Sequence, residues 1–387
     1  MKKEQKFHIN FKLQGKSFNS VDELLVFSKK LSVAVFNFLE SWFNENDFIE
    51  VQTSGSTGKP KCIQLQKKYM VNSALATGEF FNLFENTKVL LCLSVKYIAG
   101  KMMLVRALTL GWKLDVVEPI SNPLKSNTKK YDFAAMVPLQ LENSLANINA
   151  IKKLIVGGAP VSNQLLNKIQ KIDTEVFATF GMTETITHIA VKKLNNFNSV
   201  ILSTVEKSIN NVEITSVNPL LRNDVIASET KQSHYKILPN VVISKDSRNC
   251  LVINAPKISK QKIITNDIVE LISENEFKWI GRYDSVINSG GIKLFPEQIE
   301  SKLVKIISEP FIVAGIKDEK LGEKLILIIE NFDKNISKET IFNQLNKLEI
   351  LSKYQRPKEI YFIKKLAKTP NHKIDRNKTL QQLFKVP

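Results

Sequence analysis

The sequence predicts an α/β fold: a large N-terminal layered α/β domain with a β-rich end, followed by a small α+β C-terminal domain. Three observations carry that prediction. Short apolar runs alternate with helix-length amphipathic stretches up to residue 181, the rhythm of a layered sheet with parallel pairing. Strand signals without intervening helices resume after residue 240. Past Asp284 a mixed run of helix and strand signals, about a hundred residues long, is large enough to fold as its own unit. The expected domains are residues 1–281 and 285–387, with an exposed, mobile insertion at about 197–234.

Taken in order, residues 8–19 read as extended. Ser20 starts a helix, and Glu23 three residues on completes the spacing of a capping box. Leu24, Phe27, Leu31, Val35, Phe38 and Trp42 recur every three or four residues, so one helix with one buried stripe is expected. Residues 49–52 form a short strand. Strands follow at 89–93, 113–117, 133–137, 153–156 and 175–179, with helices at 98–110, closed by Gly111, and at 161–172. Further strands are expected at 241–243, 250–253 and 268–272. The C-terminal part reads as helix 296–307, strands 311–316 and 324–329, helix 337–348 and strand 359–363.

Composition narrows the function classes. Hydrophobic residues make up 43% of the 387, so sizeable cores are available and more than one is expected. No apolar run is long enough for a membrane span, and the N-terminus lacks the apolar core of a signal peptide. The three cysteines have no metal-type spacing, and a reduced, cytoplasmic setting is expected. The net charge of +17 is spread along the chain, without a basic arm or a nucleic-acid motif. A field that attracts anionic small molecules, together with compositional drift in a chain rich in Lys, Asn and Ile, accounts for it better than nucleic acid does.

Four stretches carry chemistry. The first is Thr53, Ser54, Gly55, Ser56, Thr57, Gly58, Lys59, Pro60 and Lys61. Glycines turn backbone N–H groups toward one point, hydroxyls add donors and lysines add charge, a combination suited to polyphosphate. It is not a Walker A loop: the glycines are too close together, and Pro60 stands where the metal-binding hydroxyl would be. A polar surface turn is the bland alternative. The second stretch runs from Thr179 through Phe180, Gly181, Met182, Thr183 and Glu184 to Thr185, at a strand end. Gly157 and Gly158 lie at another such end, where ligands of layered sheets sit. The third comprises Thr265, Asn266 and Asp267, then Gly281, Arg282, Tyr283 and Asp284, then Ser289, Gly290, Gly291, Ile292 and Lys293. The fourth is residues 368–376, with His372, Lys373 and Arg376.

In this order the four stretches resemble the adenylate-forming superfamily of acyl-CoA synthetases, adenylation domains and luciferases. The resemblance runs from about residue 53 to 376, the insertion excepted. It implies a large domain holding ATP and an acid, and a small mobile lid domain hinged at Asp284. It puts the residues from Thr53 to Lys61 on the β- and γ-phosphates, Thr183 at the α-phosphate and Glu184 on Mg2+. Asp267 would hold the ribose hydroxyls with help from Arg282, and Lys373 would be the mobile catalytic lysine. Gly290 and Gly291 would line the path of the coenzyme A thiol. Each has a plainer alternative: a helix-start carboxylate for Glu184, a turn residue for Asp267, a solvated tail lysine for Lys373, a hairpin turn for Gly290 and Gly291. His372 departs from the glycine usual before that lysine.

The shortness of the chain, Tyr97 where many relatives carry histidine, and residues 288–300 resemble the o-succinylbenzoate–CoA ligases of menaquinone biosynthesis. That likeness implies an aromatic acid with a second carboxylate, for which Lys101 and Arg106 are candidate cations; a plain helix-face charge is the alternative for each. A ligase for another aryl or short acyl acid, a carrier-loading adenylation enzyme and a decayed paralogue remain as alternatives. The expected partners are therefore a small-molecule acid, ATP and coenzyme A; a homodimer is compatible with this reading, although nothing in the sequence specifies one.

Overall fold

The computed structural model describes residues 6–52, 62–195, 234–304, 306–331, 337–369 and 374–384. The hydroxyl- and lysine-rich loop at 53–61, Lys373 with His372, and the expected insertion up to residue 233 lie outside the described residues. The chain divides into two compact units. One comprises Met1–Val242, Asn254–Ile263 and Ser273–Glu276; the other comprises Ile243–Ile253, Ile264–Ile272 and Phe277–Pro387. No helix among the described residues is long and apolar enough to cross a membrane.

The first unit begins with β1 (Lys12–Leu13), α1 (Val21–Leu31), α2 (Val33–Phe43), β2 (Phe48–Gln52), β3 (Cys62–Gln66) and α3 (Lys67–Phe81). It continues through β4 (Lys88–Leu91), α4 (Ile98–Leu110), β5 (Lys113–Val116), β6 (Tyr131–Met136), α5 (Pro138–Asn143) and β7 (Ile151–Val156). It ends with α6 (Asn163–Ile169), β8 (Glu175–Gly181), β9 (His188–Lys193) and β10 (Tyr235–Ile237). The strands follow the order β1-β5-β4-β6-β7-β8-β9-β10. Pairing is parallel from β1 to β8 and antiparallel at β9 and β10.

The single helix expected from residue 20 to 42 is two. Ser32 is extended (φ −163°, ψ 124°), and its hydroxyl accepts from Val35 N to cap α2. The apolar spacing runs through the break because α1 and α2 pack on each other. At Ser20 half of the capping box forms: Ser20 Oγ accepts from Glu23 N, while Glu23 Oε2 takes Asn19 N. Helix α3 was not anticipated. Its buried face is made of small residues, Ser73, Ala74, Ala76 and Gly78, with Met70 and Phe81 at its ends. Small residues carry little hydrophobic signal but let α3 lie close against α4. Beneath them Phe81, Trp112 and Phe133 form an aromatic core, with ring centroids 5.5 and 5.8 Å from Phe133. Each such side chain contributes about 2 kcal/mol by leaving water.

The second unit contains, apart from terminal residues that fall in the first, β11 (Val242–Lys245), β12 (Cys250–Asn254), β13 (Ile263–Ser273) and β14 (Glu276–Arg282), then β15 (Ile287–Ser289) and β16 (Ile292–Leu294). After these come α7 (Pro296–Leu303), β17 (Phe311–Asp318), β18 (Gly322–Glu330), α8 (Lys338–Lys347), β19 (Glu359–Ile363) and α9 (Arg376–Phe384). Strands β14-β13-β12-β11 form one run; β16-β15-β18-β17 with β19 beside β18 form another sheet. Alternation along β18 explains its layering. Leu325, Leu327 and Ile329 join Ile299 and Leu303 of α7 and Ile341 and Leu345 of α8. Ile326 and Ile328 face the other way, where Leu380 and Leu383 of α9 pack. A strand covered on both faces reads as one continuous apolar run. Helix α7 ends at Leu303, earlier than its apolar pattern suggested.

Candidate active site

Strands β7 and β8 are parallel neighbours, with Val156 opposite Ala178. Their carboxyl ends therefore bring Gly158 and the Phe180–Gly181 pair to the same edge of the sheet. Thr179 Oγ1 donates to Val156 O at 3.2 Å and ties the two ends together. Gly158 has a positive φ of 85°. Phe180 meets Tyr235 edge-to-face at 5.6 Å, and Lys192 Nζ lies 5.2 Å from the Tyr235 ring centroid. Burial lowers the Lys192 ammonium below its usual range.

Beyond β8 the chain turns sharply through a 3-10 turn, Thr183–Thr185, that holds Thr183 half-buried and Glu184 exposed. Thr185 N donates to Met182 O, and Thr185 Oγ1 accepts from Met182 N. Thr187 N then donates to Thr185 O at 2.7 Å across Ile186 (φ 65°, ψ −62°). This is a γ-turn of the rare hand, and a β-branched residue there costs about 1–3 kcal/mol in strain. The turn sends β9 back along β8, with Gly181 opposite His188. A Cβ on Gly181 would come within 2.2 Å of Thr187 O and 2.5 Å of His188 Cα, so only glycine permits this approach. Gly181 thus has a packing reason as well as its place in the motif. No described side chain pairs with Glu184, so its carboxylate is available to a hard cation.

Behind the turn lies a buried polar cluster. Arg106, in the middle of α4, is 2% exposed. Its Nε donates to Thr77 Oγ1 of α3 at 3.3 Å, Nη2 to Thr187 Oγ1 at 3.1 Å, and Nη1 to Met103 Sδ at 3.7 Å. No carboxylate among the described residues lies within ion-pair distance of it. Burial pushes the guanidinium down to about 9, which leaves it charged at neutral pH. Thr187 Oγ1 also bonds His188 Nδ1 at 3.1 Å. His188 is 5% exposed, and its Nε2 is buried without a hydrogen-bond partner among the described residues. Burial, then the nearby Arg106 charge, holds the imidazole well below its usual range and therefore neutral. Lys101, the other candidate cation, is half-buried and donates to Glu50 O at 3.3 Å. Sequence reasoning reached Arg106 but missed Thr77, Thr187 and His188. Only the closeness of His188 to Glu184 could have pointed there.

In the second unit Asp267 lies inside β13 and is 7% exposed, so it is a strand residue and not a turn residue. Trp279 Nε1 of β14 donates to its Oδ1 at 2.9 Å. The other oxygen is 3.9 Å from Arg282 Nη1. Arg282 meets Asp284 through a fork, Nε and Nη2 each 3.0 Å from a carboxylate oxygen. That pairing raises the guanidinium and lowers the Asp284 carboxyl. The structure thus brings Asp267, Arg282 and Asp284 together; Trp279, which orients Asp267, carried no sequence signal. Gly290 and Gly291 (φ 59° and 80°) are the two central residues of the β15–β16 hairpin, whose ends Ser289 and Ile292 pair. Two positive φ values match the twist of a tight hairpin, so the plainer alternative describes their geometry.

Residues 40–229 match the family model described as AMP-binding enzyme. A crystal structure of an acyl-CoA synthetase (AMP-forming)/AMP-acid ligase II-like protein from Dyadobacter fermentans is 36% identical. That match covers 90% of this chain and 93% of that one, with a TM-score of 0.55. A 2-succinylbenzoate–CoA ligase from Lactococcus lactis is 25% identical over 338 residues, 86% of this chain and 70% of the relative. An O-succinylbenzoate coenzyme A synthetase from Bacillus subtilis, solved in complex with ATP and magnesium ion, shares the fold. Its TM-score is 0.65 at 20% identity, over 86% of this chain and 69% of that one. Sequence, fold and strand-end geometry agree: the chain belongs to the AMP-binding enzyme family.

Proposed function

We propose that the protein is an AMP-forming acid–CoA ligase whose acid is o-succinylbenzoate or a closely similar aryl dicarboxylate. The observation that carries this reading is Arg106: a fully buried guanidinium with no carboxylate among the described residues, hydrogen-bonded to Thr187 just past Glu184. A charge buried without a counter-ion is costly, and an arriving carboxylate repays that cost with bidentate geometry. The names of the similar ligases supply the acid; the chemistry of Arg106 supplies the reason for a second carboxylate.

In this reading one carboxylate of the acid attacks the α-phosphate of ATP, forming the acyl–phosphate bond as pyrophosphate leaves. The coenzyme A thiol then attacks the acyl carbon; the carbon–sulfur bond forms, AMP leaves and the thiol proton is lost to solvent. Binding and positioning supply most of the acceleration in such transfers. Residues Thr53 to Lys61 would hold the β- and γ-phosphates, and Thr183 the α-phosphate. Glu184, exposed and unpaired among the described side chains, would hold Mg2+, which neutralises phosphate charge when bound. Gly158, Phe180 and Gly181 would border the nucleotide. Asp267, fixed by Trp279, would accept from the ribose hydroxyls beside Arg282. Lys373 would serve the adenylation step, Gly290 and Gly291 the thiol path, and Asp284 the hinge.

Pyrophosphate release with a panel of acids, with and without coenzyme A, tests the proposal. The expected result is thioester formation from o-succinylbenzoate. Turnover of monoacids with no turnover of the diacid would overturn it. Adenylate formation with no thioester would favour a carrier-loading enzyme.

A further inference from the structure

The hydrogen bonds around Thr187 decide where the His188 proton sits. A hydroxyl carries one hydrogen. Arg106 Nη2 can only donate, so Thr187 Oγ1 accepts from it. The hydroxyl hydrogen is then free to go to His188 Nδ1, 3.1 Å away. That makes Nδ1 an acceptor and puts the ring proton on Nε2. The opposite tautomer would leave two groups unpaired, the Thr187 O–H and the Nε2 lone pair. The first leaves one, the Nε2–H itself. A buried unpaired group costs about 1–3 kcal/mol, and the half-buried Thr187 O–H adds to that cost in the opposite tautomer, so the Nε2–H tautomer is preferred. Its donor is buried, has no partner among the described residues, and belongs to the same cluster as a guanidinium that has no carboxylate. The Nε2–H has no acceptor and the guanidinium no carboxylate among the described residues, and Thr187 Oγ1 links the two groups; an oxygen anion from outside would answer both.

We propose that His188, held as its Nε2–H tautomer by Thr187, is a specificity-determining residue that donates to the non-reacting carboxylate of the acid beside Arg106. This rests on the reading of Arg106 given above and extends it to a neutral donor. The division of labour is physical. Arg106 supplies charge, which attracts any carboxylate. His188 supplies a directed hydrogen bond without adding a second buried charge. A site built to hydrogen-bond a group discriminates strongly against analogues that lack it, because its buried polar atoms are then left unpaired.

Two variants separate the roles of the ring nitrogens. His188→Gln places an amide N–H near the Nε2 position. His188→Asn keeps an acceptor near Nδ1 but lacks the distal donor. Specific activity is compared for o-succinylbenzoate and for the two monoacids that each lack one of its carboxylates. His188→Asn is expected to lower kcat/KM for the diacid about tenfold to thirtyfold. Its effect on the reacting monoacid should stay within about threefold, and His188→Gln should stay within about threefold on both. Equal loss on diacid and monoacid, or no loss on either, overturns the inference. If wild type does not favour the diacid and Arg106→Met does not change that, the underlying reading of Arg106 has failed instead. Ring-nitrogen NMR of the unaltered protein gives an independent readout: Nε2 protonated and Nδ1 bare across neutral pH is expected, and the opposite tautomer refutes the proposal.

Discussion

Two arginines of this chain, one fully buried and one half-buried, are built in opposite ways. Arg376, at the start of α9, is matched from within. Its Nη1 and Nη2 lie 2.6 and 2.9 Å from the two oxygens of Glu300, Nη1 also donates to Val313 O at 3.2 Å, and Glu297 Oε1 is 3.4 Å from Nη2. Burial opposes the charge, but Glu300 and Glu297 outweigh it and raise the guanidinium. Arg106 has two threonines, a thioether and, among the described residues, no acid, and burial lowers it. The first arrangement fastens a helix to its domain. The second leaves a charge unanswered, which proteins tolerate where a ligand completes the pairing. In the reading proposed above, the internal counter-ion is what separates the structural arginine from the binding one.

The contrast can be broken from either side. Arg376→Met should cost the most stability, about 3 kcal/mol, because it strands Glu300 and Glu297. Burial already raises the Glu297 carboxyl above its usual range, with Arg376 opposing that rise. Chemical denaturation measures the loss; an unchanged midpoint would remove the structural reading. Arg106→Met, in the absence of substrate, should go the other way, with no loss or a gain of about 1 kcal/mol. A loss like that of Arg376→Met would mean that Arg106 is structural too. The smallest effect concerns pH. His188 stays neutral in the folded chain. Below the ordinary histidine value the unfolded chain takes up a proton that the folded chain does not, so stability falls as pH falls. The slope from this one group is at most about 1.4 kcal/mol per pH unit. His188→Gln should remove that part of the acid sensitivity, and an unaltered slope would show that His188 is protonated when folded.

Much of the fold was legible because it depends on local apolar pattern. Strands β4, β6 and β7 carry the apolar runs 89–91, 133–136 and 154–156 at parallel positions, and α4 runs up to Gly111 as expected. What escaped has identifiable causes. The break at Ser32 falls inside an unbroken apolar periodicity, and one serine that caps α2 overrides it. Helix α3 hides because its buried face is small residues. Strand β9 follows a γ-turn at Ile186 that no residue preference announces. Of the proposed site, the residues that sequence reasoning could name were those of the motifs: Thr183, Glu184, Asp267 and Arg282. Their supports were not, because Trp279 and Thr187 act through contacts made in space by neighbouring strands. His188 belongs to the same class. Its meaning depends on Arg106, eighty-two positions earlier in the chain.

The most direct test of the account is the acid selectivity of Arg106→Met, measured as kcat/KM for the dicarboxylate and for its matched monoacids. The account predicts about a hundredfold loss on the diacid, the scale of a charge-assisted bond of ~2.7 kcal/mol, with the reacting monoacid nearly unchanged. Equal loss on both acids, or undiminished preference for the diacid, would contradict it.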